Sequence, residues 1–481
     1  MPQDEFHLAA AARQEMIDHG FEPDFPAAAE QQLAAIRAEP DRSLRDLTGL
    51  FWSSIDNDES RDLDQIEWAE RTPAGIRVLV GIADVDSAVA RTTPIDAHAC
   101  KEATTVYTGI ATFPMLPLKL STDLTSLNEG QERNAVVIEM LVAADGSLAS
   151  NSAYRAVVRN RAQLTYSGVG PWLEGKADAP EKVTASPELA AQLKLQDEAA
   201  QALCEARHRL GALTFDRLEA QAVISGGEVR DIQARGTNRA SQLIEDFMIA
   251  ANESMARAMR DAGVTSIRRV VRAPERWPRI VELAARYGDQ LPPTPDSAAL
   301  NAFLLRRKQA DAVHYADVSL AVLKLMGPGE YVASRPGDSA VGHFGLAAHD
   351  YTHSTAPNRR FADLVTQRLL KAMTAGAKAP YTDEELDGIA RNCTLKEDAA
   401  RKVERAMTKR LAAAALAHRI GEAFSAVVTG ATPKGVFARI FNPPVEGRIL
   451  RGEQGLDVGD RLHVKLIGAD PRRGFIDFAR A

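Results

Sequence analysis

The chain has 481 residues, 45% of them apolar and 26% charged, with a formal net charge of −7. That length accommodates two to four domains of ordinary globular composition, and no run approaches the eighteen consecutive apolar residues that a spanning helix needs. The three cysteines, Cys100, Cys204 and Cys393, are odd in number and far apart; they give no support to a disulfide framework or a thiolate zinc site and point to a reducing cytoplasm.

The N-terminus is acidic and lacks the apolar stretch of a secretory signal. Residues 1–45 are Ala-rich with helical periodicity: one run from Leu8 to His19 stops at Gly20, and a second follows Pro26 through Ile36. A packed helical pair is expected, with a helix–turn–helix as the alternative. From Leu47 to about Val158 the pattern becomes that of strands, including 78–83 and 135–142, with a turn at Asp145-Gly146. Amphipathic helices follow at about 187–209, 238–262, 296–310, 358–374 and 383–419. A hairpin is expected between Gly211 and Ile232, turning at Gly226-Gly227. Strands early and helices late predict an α+β domain over residues 46–420. Past Gly421, four or five short strands separated by turn signals predict a small closed barrel over 421–481.

Charge is unevenly spread along this frame. Residues 1–70 hold 17 acidic and 5 basic side chains, a balance of −12, so the remainder carries +5 (−7 + 12). Residues 354–420 alone have 13 basic and 8 acidic side chains, again +5. Such a distribution is compatible with a polyanion held along one channel and does not demand it.

The densest feature lies between Ile55 and Glu67, where six carboxylates occupy thirteen positions. Carboxylates that face one another at close range have raised pKa values unless a cation lies between them, and an all-oxygen set suits magnesium or manganese better than zinc. A solvated acidic turn is the plain alternative. An EF-hand reading also fits in part: Asp56, Asp58, Ser60, Asp64 and Glu67 take loop positions 1, 3, 5, 9 and 12. Arg61 stands where that loop needs glycine, however, and Leu50–Ile55 reads as a strand. His349 and His353, four apart, faintly fit a zincin helix, but Ser354-Thr355-Ala356-Pro357 would end such a helix at once.

Asp56, Asp62 and Asp64, with Arg61 and Ile66 beside them, resemble the signature of the RNB domain of the ribonuclease II family: Asp, five residues, Asp, one residue, Asp, Asp. Further stretches occur in the family's order: Gly81–Val85, Phe113–Pro117 with Leu120-Ser121, Ala162–Tyr166, Ile244–Met248 with Ala251-Asn252, His343–Leu346, and Tyr351–Leu364. Together they cover roughly residues 46–410. The resemblance implies a processive hydrolytic 3′→5′ exoribonuclease that acts on single-stranded RNA, not preferentially on DNA, and releases nucleoside 5′-monophosphates. It further implies magnesium, with manganese as an alternative, held by Asp56, Asp62, Asp64 and Gln65.

Gln65 departs from the family, which has a fourth Asp there; an amide oxygen can ligate magnesium but brings no charge. A catalytically weakened RNA-binding protein is therefore the second reading. Asp62 and Asp64 are implied in catalysis, and Arg359 on the phosphorane's equatorial oxygens, where a guanidinium binds bidentately. Arg360 is expected on the RNA backbone, with a surface pair at a helix start as the alternative, and His353 is expected to orient the Arg359 loop. Tyr166 and Phe215 are implied as stacking platforms, Glu245 as a ribose contact, and Glu404 as a neighbour of the nucleotide. The C-terminal barrel resembles the OB-type RNA-binding fold first named from a ribosomal protein, with Phe437, Arg439 and Phe441 alternating along one strand. Core packing is the equal alternative for either Phe. The best-known members carry two cold-shock barrels ahead of the catalytic domain; about 45 residues precede the motif here, so a helical head is expected in their place.

Overall fold

In the computed structural model, which describes all residues except 1–6, 216–218, 226–227, 312–314, 340 and 434, the chain opens with two short helices. The first, Leu8–Asp18 (α1), ends where Gly20 takes φ +79°, a left-handed conformation that costs glycine little. The second, Ala27–Ala35 (α2), follows Pro26.

A mixed sheet comes next: Arg45–Asp46 (β1), Trp52–Asp56 (β2), Gln65–Thr72 (β3) and Gly75–Ala83 (β4), then after helix Pro94–Glu102 (α3) and the two-residue pair Val106–Tyr107 (β5) and Thr112–Phe113 (β6), the long strands Glu132–Val142 (β7) and Leu148–Thr165 (β8). Their order is β1-β8-β2-β3-β4-β7, and β7 also pairs with β8. One 18-residue strand thus meets β2 in parallel through one stretch and β7 antiparallel through another, so the sheet returns on itself. Its interior is dense. Trp52, Ile55, Ile66, Leu79 and Ile82 are essentially inaccessible, each such burial contributing about 1.5–3 kcal/mol.

Helices then cover the sheet. Tyr166–Leu173 (α4) and Glu181–Thr184 (α5) lead into Pro187–Arg209 (α6), whose start is set by the Ser186 side chain accepting from Leu189 N and by proline at N1. A hairpin of Glu219–Ser225 (β9) and Glu228–Arg235 (β10) follows; its expected Gly226-Gly227 turn lies outside the described residues. Arg239–Asp261 (α7) begins with a capping box between Asn238 and Ser241. Ser266–Val270 (β11) pairs with Glu330–Ser334 (β12) around three helices, Trp277–Arg286 (α8), Ser297–Ala310 (α9) and Tyr315–Leu325 (α10), which share a separate core. Phe361–Thr374 (α11) and the 34-residue Asp383–Leu416 (α12) complete this part. The five amphipathic helices expected from periodicity all occur. β11, β12, α8 and α10 were not expected; they are short, and three prolines around α8 mask its three-residue inward spacing of Trp277 and Ile280.

The barrel is closed and five-stranded: Ala423–Thr432 (β13), Gly435–Ile440 (β14), Glu446–Arg451 (β15), Arg461–Asp470 (β16) and Phe475–Arg480 (β17). No helix among the described residues is long and apolar enough to cross a membrane.

Candidate active site

The loop between β2 and β3 carries the acidic cluster, flanked by strands on both sides. Three of its carboxylates, Asp56, Asp62 and Asp64, accept hydrogen bonds, Asp56 from neighbours in the loop and the other two from distant segments. The Asp56 carboxylate accepts from Asn57 N at 2.7 Å and from the Ser60 hydroxyl at 3.0 Å. Asp58 lies outside the cluster and accepts from the Ser167 hydroxyl. Asp62 accepts from the Tyr107 hydroxyl at 3.1 Å. Asp64 is 1% exposed; its Oδ1 accepts from Asn358 N at 3.1 Å, and Arg359 Nε stands 3.4 Å from its Oδ2. The calcium loop does not form: strands β2 and β3 flank the segment where an EF-hand has helices, and Arg61 holds its glycine position.

The electrostatics are those of crowded carboxylates. Burial pushes Asp64 up to about 7, with the nearby Arg359 pulling against it and Asp62 adding to it. Burial also raises Asp56, opposed by the Asn57 hydrogen bond and Arg359. Asp64 Oδ2 has no hydrogen-bond donor. An oxygen-only donor set with an orphaned buried carboxylate oxygen is chemically suited to a hard divalent ion. Among the described residues no three His, Cys, Asp or Glu side chains are gathered into a preformed metal-holding group, while Asp62 lies close enough to raise both Asp56 and Asp64.

Gln65 is buried at the start of β3, opposite Ile82. Alternation along the strand puts it on the face of Glu67, whose carboxyl feels Asp56. Glu67 is fully buried opposite Ser53, with both carboxylate oxygens lacking a partner; burial first, and then Asp56, raises its pKa well above the carboxylate range.

The basic side of the site comes from the segment entering α11. Asn358 is buried and its side-chain oxygen accepts from the Thr125 hydroxyl at 2.6 Å, while the half-exposed Arg359 reaches back to Asp64. Arg360 does something else. It is the N-cap residue of α11, and its guanidinium grips Asp363 through Nε and Nη2 at 2.8 and 2.7 Å, so its expected role on the RNA backbone competes with an internal ion pair. His353 is half-buried with Nδ1 2.8 Å from the Tyr331 hydroxyl, and burial of its ring together with Arg360 holds it well below its usual pKa, in the neutral form. His349 is exposed, and no helix carries it and His353: the segment 349–357 is loop, so the zincin arrangement is not formed.

The RNA-contact candidates are dispersed. Tyr166 opens α4 directly after the end of β8 and packs partly against the main core. Phe215 packs against the separate α8–α10 core instead. Glu245 is exposed on α7. Glu404 on α12 accepts from Tyr107 N at 3.2 Å and lines a pocket of about 190 Å³ with Arg360, His353 and Tyr331. On β14, Val436, Ala438 and Ile440 face the barrel core, so Phe437 and Arg439 lie on the outward face, with Phe441 exposed beyond the strand's end. Core packing is thereby excluded for both Phe residues.

Tyr107 was not legible as a site residue. It sits in a two-residue strand, 42% exposed, linking Asp62 through its hydroxyl to Glu404 through its amide; nothing in the local pattern separates it from any other strand tyrosine. Asn358 was passed over beside the two arginines.

Residues 44–376 match the RNB domain, and residues 422–481 match the RNase II-type exonuclease C-terminal S1 domain. Ribonuclease R of Thermotoga maritima is 29% identical over 483 aligned positions, covering 92% of this chain and 66% of that protein. The chain spans 55 to 66% of the first three curated relatives that it matches. Among solved structures, Mycoplasma genitalium RNase R in complex with ribose-methylated single-stranded RNA superimposes with a TM-score of 0.88 at 24% identity, covering 98% of this chain and 78% of that one. Yeast Ssd1, described as a pseudonuclease, superimposes at 0.69 with 18% identity, covering 92% and 55%.

Proposed function

The chain belongs to the RNB domain family, and on that premise we propose that it is a processive 3′→5′ exoribonuclease that hydrolyses single-stranded RNA to nucleoside 5′-monophosphates, in the cytoplasm and without preference for DNA. The observation that carries this reading is the opposition of Asp64 and Arg359: a buried carboxylate with one orphaned oxygen faces a half-exposed guanidinium across 3.4 Å. A phosphodiester seated there would have a cation beside its equatorial oxygens and carboxylates opposite. Magnesium, or manganese in its place, would be held by Asp56, Asp62, Asp64 and Gln65, the last through a neutral amide oxygen that brings no charge; the ion would activate water and stabilise the leaving oxygen. Arg359 orients the phosphate and balances its developing charge, while Asn358 N holds Asp64 in place. Tyr166 and Phe215 would stack bases and Glu245 would meet the ribose; Arg360, Glu404, Phe437 and Arg439 would border the RNA path.

The second reading is an RNA-binding protein with weakened catalysis. Two observations favour it: Gln65 brings no charge to the acidic cluster, and the fold is also that of a pseudonuclease. Digestion of a 5′-labelled RNA with and without chelator separates the two. Conversion of full-length RNA to a short 5′-labelled end product without accumulated intermediates, abolished by chelator, supports processive hydrolysis from the 3′ end; tight binding with intact RNA at saturating magnesium overturns it.

A further inference from the structure

We propose that the N-terminal helical head is a positioning element for the active site, acting through Phe21 and Met16 on the segment 103–107 and through it on Asp62 and the Arg359 loop.

The segment is held from two sides. On the site's side, Phe361 N donates to Ala103 O at 2.8 Å and Thr105 N donates to Arg359 O at 2.9 Å, so its backbone is sewn directly to the residues that carry the catalytic guanidinium. Two residues on, Tyr107 meets Asp62 and Glu404. On the far side, Val106 is completely buried in a small cluster with Met16, Phe21, Ala400 and Val403. Val106 and Tyr107 are neighbours in a strand, so their side chains point to opposite faces: one is set into the head, the other into the site.

A two-residue strand pair cannot hold such a position by itself, since even an isolated hairpin is at best marginally stable. The head supplies what it lacks. It is fastened to α12 and α3 by an Arg410–Glu15 ion pair at 2.5 Å, by Lys396 donating to Gly20 O at 2.7 Å with its ammonium 4.4 Å from the Phe21 ring centroid, and by Glu22 N donating to Glu102 at 3.0 Å. α12 also carries Glu404. Head, β5 and α12 therefore lock one another, and the position of Tyr107 follows from the lock. An aromatic-to-alanine change at Phe21 opens a cavity against Val106, and catalytic geometry is unforgiving: a misplacement of about 1 Å can cost about 100-fold in rate.

The inference rests on the hydrolytic reading for its rate measurement, while amide exchange tests the mechanical link without it. In the full-length chain, Phe21→Ala should lower the single-turnover rate about tenfold or more, leave affinity for a long RNA in chelator unchanged, and raise exchange at the amides of Thr105, Tyr107 and Phe361. Barrel amides should keep their protection. Phe21→Leu should restore both readouts. Arg13→Ala, which removes an exposed ion pair with Asp24 in the same head, should alter neither. If Phe21→Ala does not fold, Glu15→Gln weakens the α1–α12 tie without opening a cavity and should raise the same three amides. Unchanged exchange at 105–107 and 361 overturns the proposal, as does loss of protection that extends to the barrel. Raised local exchange in a chain with no hydrolysis at all would retire the exonuclease reading and leave the mechanical link standing.

Discussion

Glu67 should be a liability to stability, and replacing it with leucine should make the protein more stable. The carboxyl is wholly buried, both oxygens lack partners, and the opposing Ser53 hydroxyl and the nearby Gln196 side-chain oxygen are unpartnered too. Burying a polar group without a hydrogen bond costs about 1–3 kcal/mol on the evidence of protein variants. Leucine has a similar volume and nothing to satisfy, so Glu67→Leu should recover much of that amount. For units of 150–250 residues about 1 kcal/mol moves the melting temperature by about 2–4 °C; in this larger unit the gain should be a few degrees.

The pH dependence gives a sharper test. The folded carboxyl titrates above its unfolded value. Between those two values the folded state holds a proton that the unfolded state has released, so wild-type stability falls as pH rises through that window. The leucine variant lacks this slope. Its advantage should be smallest at the lower, ordinary carboxylate pKa, grow through the window, and level off above the raised folded pKa. Glu67→Gln should also lose the slope while gaining less, because its amide remains unpartnered. Melting curves across the pH range suffice as the assay. A leucine variant less stable than wild type, or an advantage that does not change with pH, would refute the assignment of Glu67 as a buried, unsatisfied acid.

Other outcomes follow from the same geometry. Asp64→Asn keeps an acceptor for Asn358 N yet removes the charge opposite Arg359, so hydrolysis should be lost while filter binding shows RNA affinity nearly intact; a parallel loss of affinity would contradict this role. Gln65→Asp should lower the half-saturating magnesium concentration if residue 65 turns toward the cluster, and an unchanged value would agree with its strand-face position beside Glu67. Tyr166→Ala should lengthen the end product on a sequencing gel, since a stacked base is worth about 1–3 kcal/mol and about 1.4 kcal/mol changes an off-rate tenfold; its salt dependence should not change, because no phosphate contact is lost.

Local order was readable from local residues. Ser186 followed by Pro187 announces α6, Thr382 with Glu385 announces α12, and alternation with punctuating turns announces the barrel, because caps, turns and amphipathic faces depend on neighbours a few positions apart. The spacing of Asp56, Asp62 and Asp64, with the ordered motifs behind it, likewise identifies the family. Tertiary structure alone decided which of these groups meet. Asp64 and Arg359 are 295 residues apart, and Tyr107 touches Asp62 from one side and Glu404 from the other. Arg360 turns to Asp363, three residues on, through a choice of rotamer that the sequence leaves open. The burial of Glu67 depends on β2 pairing with β3, which sets it opposite Ser53. Adjacency along the chain sets the backbone's local conformation; burial, charge coupling and the seating of the head beneath Val106 arise only when distant segments exclude water between them.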